Sequence, residues 1–134
     1  MKVAELIGAR LDYWVGRADG VIPCATVSEA HPALDSENGR RMFVNALGVL
    51  TLVAKDCVQP WRPSTDWLQG GPLMERVHIQ PWHRDEDGSD NVWHAVCPMP
   101  RGYEATEDGP TLLVAAMRAY VASKFGDEVP CENI

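Results

Sequence analysis

Two tryptophans, a Ser-Thr-Asp cluster, a Gly-Gly pair and a Glu-Arg pair all fall within WRPSTDWLQGGPLMER, Trp61 to Arg76. Connecting segments rarely hold two tryptophans, so this one is either a packed corner or a recognition surface. As a surface, Trp61 and Trp67 form amphipathic walls around a small ligand or peptide, and Asp66, Gln69 and Arg76 supply polar contacts. The full binding set is Trp61, Ser64, Asp66, Trp67, Gln69, Gly70, Gly71, Glu75 and Arg76. Each residue type also has a structural use, and that reading is the favoured one. Both tryptophans then enter the core, Ser64 and Asp66 cap, Gly70-Gly71 supply unusual backbone angles, and Glu75 and Arg76 pair with neighbours.

A second set of groups is weaker. With a hairpin turn centred on Asp87-Gly88, Trp82 sits opposite Trp93, and His83 and His94 lie diagonally on one sheet face. That makes His83 and His94 weak metal candidates, with His78 and Cys97 as further ligands. The spacing H-x4-H followed by H-x2-C matches no standard zinc pattern, and histidines beside tryptophans are commonly structural. The acids Asp85, Glu86, Asp87 and Asp90 lack the longer ligand series and flanking helices of a calcium loop, so they read as a solvated turn. The chain contains no nucleophile elbow, H-E-x-x-H, P-loop or G-x-G-x-x-G. No catalytic residue is assigned. Were an activity present, Asp66, Glu75 and Arg76 would be its place.

The elements that hold these groups follow from periodicity. Val3, Ile7, Leu11, Trp14 and Ala18 draw one apolar stripe and predict an N-terminal helix, with Glu5, Asp12 and Arg17 away from its centre and Gly20 as its stop. Residues 21–38 read as loop with a short strand near Val21 to Val27. Arg41 to Lys55 is rich in Val, Leu and Phe with Gly48 in its middle, which favours two strands turning near Leu47-Gly48. In the motif, Ser64 is expected to cap one helical turn that Gly70-Gly71 ends. Pro72 then opens a second short helix to Val77. Ile79 to Arg84 and Asn91 to Cys97 form a hairpin. Gly109-Pro110-Thr111 opens the clearest helix, with Leu113, Val114, Met117, Tyr120 and Val121 inward, Arg118 outward and Gly126 closing it. The expected fold is α+β: a small antiparallel sheet with the N-terminal and C-terminal helices packed on one face. It forms one domain over residues 1–134, with residues 130–134 frayed.

Composition narrows the classes. Apolar residues make up 46% and charged residues 23%, ordinary for a globular protein. A net charge of −7, from 19 acids against 12 Lys and Arg, opposes nucleic-acid binding, and Arg40-Arg41 with Arg84 do not amount to a basic patch. No stretch approaches the ~20 apolar residues of a membrane span, and MKVAELIGARLD lacks the apolar core of a signal peptide. Cys24, Cys57, Cys97 and Cys131 are scattered with no C-x-x-C, as expected of reduced thiols in a cytoplasmic protein.

Two long segments carry a family resemblance: PSTDWLQGGPLMER, Pro63 to Arg76, and GPTLLVAAMRAYVASKFGDEV, Gly109 to Val129. With the opening ELIGARLDYWVGRADG, Glu5 to Gly20, they resemble the NinX-type family, small proteins of temperate phages and prophages of unknown function. The resemblance implies a single NinX-like domain in a bacterial host cytoplasm, encoded in an accessory region of phage DNA. It brings no catalytic residues.

The expectation is therefore a non-enzymatic phage or prophage accessory protein without cofactor. Its partner is a protein of host or phage, or a second copy of itself, and neither nucleic acid nor membrane. This requires an exposed aromatic or apolar patch near Trp61 and Trp67, or on an outer face of Met117 and Tyr120. The alternatives are a small-molecule binder or hydrolase using the Trp61–Arg76 loop, and a metal-binding domain using His83 and His94.

Overall fold

A computed structural model describes residues 1–30, 39–55, 57–83 and 92–131. The chain starts with a 3-10 turn, Val3–Glu5, and passes through extended Ile7 into helix α1, Gly8–Ala18. The predicted helix thus starts later than its stripe. Gly8 has φ +62°, a left-handed angle that separates Val3 from the helix. Val3, Leu11 and Trp14 of the stripe are buried, whereas Ile7 is exposed.

Strands β1 (Ile22–Pro23), β2 (Arg41–Val44), β3 (Leu50–Ala54) and β4 (Cys57–Pro60) form one sheet in that order, with the short helix α2 (Val27–Ala30) between β1 and β2. The β2–β3 turn falls where expected. The Asn45 side chain accepts from the backbone N–H groups of Leu47 and Val49, and Gly48 adopts φ +78°. After β4 comes helix α3, Trp67–Arg76. Strands β5 (Gln80–His83), β6 (Trp93–Pro98) and β7 (Glu104–Gly109) make a second, antiparallel sheet, and helix α4 spans Leu112–Phe125. The fold is α+β, as read from the sequence, with the strands divided between two sheets.

Helix α4 packs across β5, β6 and β7, and α1 packs on α4. Every residue of α4 from Leu113 to Ala122 is buried. A helix apolar on all sides belongs inside, and a one-sided assignment underestimates it. Arg118 is the clearest correction: it was expected outward but is buried. Its Nε donates to the Leu6 carbonyl and its NH1 to the Asp108 carbonyl, both at 2.8 Å. Those two bonds tie the N-terminal turn to the end of β7. Met117 and Tyr120 are also buried, so they offer no outer patch. Thr111 caps α4 by accepting from the Val114 N–H, and Gly126 closes it at φ +84°.

Strand β7 was not anticipated, because EATEDG carries little apolar alternation. Its pairing with β6 places small Ala105 and Gly109 on the covered side, where large side chains would hold α4 away. Val129 is buried and its N–H donates to the Met1 carbonyl, so the described chain remains anchored up to that point. Residues 132–134 of the predicted frayed tail, and the acidic turn Asp85, Glu86, Asp87 and Asp90, lie outside the described residues.

Candidate functional site

The motif segment is bolted to α1 by two acids seven residues apart. Trp61 is buried and its indole Nε1 donates to the Asp12 carbonyl at 2.9 Å. Ser64 is also buried, and its backbone N–H donates to Asp12 Oδ1 at 2.8 Å. Asp12, expected away from the apolar stripe, is itself buried. Burial pushes its pKa up to about 6, only partly offset by the hydrogen bonding of Ser64. At the end of α1, the Asp19 carboxylate accepts from Arg76 (2.6 Å), Arg40 (2.7 Å) and the Tyr120 hydroxyl (2.8 Å). Arg40 also donates to the Asp19 carbonyl. Burial acts to raise the Asp19 pKa, but the bonds from Arg76, Arg40 and Tyr120 outweigh it and hold the carboxyl below its usual range. Burial and the Asp19 bond together push the Tyr120 hydroxyl up.

Helix α3 differs from the expected pair of short turns. Asp66, not Ser64, is its N-cap, accepting from the Leu68 N–H at 2.9 Å. The helix continues through Gly70-Gly71 and Pro72 to Arg76. The glycines do not end it. Gly70 instead allows close approach: a Cβ there would lie 2.4 Å from the Pro63 carbonyl oxygen and 2.7 Å from Leu113 Cδ2. Gly70→Ala should therefore cost about 1–3 kcal/mol in denaturant unfolding, because a backbone oxygen cannot swing aside. A variant as stable as wild type would show that the contact relaxes freely.

The helix closes at His78, whose φ is +59° and whose neighbour Ile79 donates to the Met74 carbonyl at 3.0 Å. This is a left-handed closing position that glycine normally fills. His78→Gly should raise unfolding free energy by about 1 kcal/mol, the relief of that backbone angle. Loss of stability instead would mean the imidazole has a structural role.

The binding set separates into buried anchors and exposed groups. Trp61, Ser64 and Gly70 are buried. Gln69 is spent locally, accepting from the Arg62 N–H and donating to the Pro60 carbonyl. Asp66 caps and lies 3.9 Å from Arg62. Glu75 is exposed and Gly71 half-buried. Trp67 is 56% exposed and Leu68 86%, side by side at the start of α3, and Ile7 across the groove is 57% exposed. Beneath Trp67 lies a pocket of about 400 Å³ lined by Ile7, Gly8, Ser64, Thr65, Trp67 and the first residues of α4. On the Leu68 side a second pocket, of about 250 Å³, contains Asp19, Arg40 and Arg76. The sequence reading missed Asp12, Asp19, Arg40 and Leu68. The one available signal was two acids at helical spacing beside buried aromatics.

The histidine arrangement is corrected by register. Trp82 pairs with His94, and His83 with Trp93. Directly paired residues share a sheet face and neighbours alternate, so His83 and His94 lie on opposite faces and cannot hold one metal. His94 stacks on Trp82 (5.4 Å between rings), and its Nδ1 lies 2.5 Å from Asp108 Oδ1. Cys97 is buried and His78 closes α3. Among the described residues no group of three or more His, Cys, Asp or Glu is placed to hold a metal ion. Nor is any described helix long and apolar enough to cross a membrane.

The fold is α+β with α4 as its buried centre, and the motif segment is anchored on α1 with one aromatic turn exposed. The chain belongs to the family described as Bacteriophage P22, NinX, whose model matches residues 2–124. No curated protein matches the chain.

Proposed function

We propose that this phage accessory protein acts in the cytoplasm of a bacterial host through protein contacts, with the exposed first turn of α3 as its contact surface. The observation that carries the reading is that Trp67 and Leu68 face solvent within a segment whose Trp61, Ser64, Gly70, Leu73 and Met74 are buried. Contact surfaces are built this way, with an aromatic anchor beside an apolar pocket and rigid support below. Helix α3 is fixed at its start by the Asp66 cap and at its end by Arg76 on Asp19, so the turn is presented ready-formed.

The alternative of a small-molecule binder or hydrolase needs Asp66, Gln69 and Arg76 to converge on a ligand. Here Asp66 caps the helix and Gln69 bonds the preceding backbone, so the three do not converge, which favours the contact reading.

A photo-crosslinking residue placed at Leu68, compared with one at Val58, tests the proposal in cells carrying the phage. Both positions are exposed, and Val58 lies on β4 away from the pocket beneath Trp67. Discrete adducts from position 68 and none from position 58 are expected. Equal labelling from both, or none from either, would overturn the assignment.

A further inference from the structure

The pocket on the Leu68 side has a chemistry of its own. Its buried lining is apolar, with Leu52, Trp61 and Leu73, while Leu68 and Pro72 are exposed and Gln59 and Gln69 also line it. Arg40, just before β2, and Arg76, at the end of α3, meet on the two oxygens of one buried carboxylate, Asp19. The Asp19 side chain is 1% exposed, whereas those of Arg40 and Arg76 are 41% and 57% exposed. The carboxylate is hidden beneath the guanidiniums that bind it. One acid and two arginines give the pocket a formal charge of +1, in a chain that carries −7. The groove lined by Glu107, Asp108 and Arg118 has the opposite sign, −1. Among the described residues, Asp19 engages only one nitrogen of Arg76, which leaves planar donors suited to a second carboxylate.

Resting on the contact reading above, we propose that the partner is a polypeptide that places an acidic side chain between Arg40 and Arg76, next to an apolar residue seated on Leu68. Charge complementarity selects the occupant. The net charge of this pocket is opposite in sign to that of the chain, so an acidic segment is drawn to it. A bare anion would leave Leu68 and the apolar lining in water, whereas a peptide covers both.

The test is a titration of the full-length protein followed by NMR at the Arg76 Nε–H and the Leu68 amide. The probes are N-acetyl-Leu-Glu-Leu-amide, N-acetyl-Leu-Gln-Leu-amide and inorganic phosphate. The glutamate peptide should shift both signals saturably and bind at least fivefold tighter than the glutamine peptide. Leu68→Glu, at a position too exposed to affect folding, should weaken the glutamate peptide at least fivefold by setting a competing carboxylate at the rim. Equal response to both peptides, no response, or unchanged binding by the Leu68→Glu variant would overturn the proposal. So would phosphate matching the glutamate peptide, which would mark a simple anion site. A silent titration leaves the crosslinking result at position 68 untouched, so failure of the acidic occupant is distinguishable from failure of the contact surface.

Discussion

Asp19→Ala should destabilise the protein by roughly 2–4 kcal/mol, measured by urea unfolding at pH 7. Removing one member of a buried ion pair strands its partners, and here one carboxylate serves Arg40, Arg76 and Tyr120 together. The two arginines are half-exposed and can turn toward water, which keeps the cost below the upper end for a fully buried pair. Tyr120 is buried and cannot, so its hydroxyl loses its short partner and is left with the longer bond to the Ala18 carbonyl at 3.4 Å. The loss is spread over the fold, since the carboxylate joins the end of α1 to the residue before β2, to α3 and to α4. Asp19→Asn, which keeps the shape but not the charge, should fall between wild type and alanine. The sign with pH follows from a depressed folded pKa. The contribution is present above the unfolded carboxyl value near 4 and lost as pH falls below it. An alanine variant within 0.5 kcal/mol of wild type, a change on the order of an ordinary surface substitution, would show that the cluster is incidental.

Asp12→Asn should act in the opposite direction. Asp12 is buried with a folded pKa of about 6 against 3.8 unfolded, so the folded state holds its proton more tightly. A raised carboxyl pKa contributes stability that is complete below the unfolded value and is lost as pH rises through the folded value. At pH 8 the full penalty of a buried charge remains, ~3 kcal/mol as an upper bound at 1.36 kcal/mol per pKa unit. Asparagine keeps an oxygen for the Ser64 N–H and carries no charge. It should therefore stabilise the protein at pH 8, and its advantage should shrink by about 1 kcal/mol at pH 5, where much of the wild-type Asp12 is already protonated. Asp19, with its depressed pKa, stays ionised across that interval and does not obscure the comparison. A destabilising effect of equal size at both values would mean that the carboxylate is stabilised in place.

What the sequence revealed, and what it hid, divides along physical lines. Helix α4 was visible because Thr111, a long apolar run and Gly126 all act locally, and the β2–β3 turn was visible because Gly48 interrupts a strand-forming stretch. Arg118 was misplaced because a periodicity argument sends charge outward. Its burial depends on two carbonyls, at Leu6 and Asp108, that only the tertiary fold brings together. The continuity of α3 was hidden by glycine and proline, residues that break helices locally. Packing reverses that preference, since Gly70 is needed against Pro63 and Leu113. The β5–β6 register slipped by one residue because neither strand alternates cleanly, and that slip moved His94 to the opposite face from His83. At the site, the tryptophans were identifiable by type, but composition cannot tell a buried Trp61 from an exposed Trp67. Trp61 packs in the main apolar core and its indole bonds the Asp12 carbonyl, contacts that only the tertiary fold supplies.

That difference between the two tryptophans is also where the functional reading is most exposed to test. The unfolding free energy of Trp67→Ala, measured in urea beside wild type, addresses it directly. A tryptophan kept at the surface for contact should cost less than about 1 kcal/mol when truncated, as exposed substitutions do. A loss of about 3–5 kcal/mol, the cost of removing a buried tryptophan, would place Trp67 in the core and contradict the contact surface.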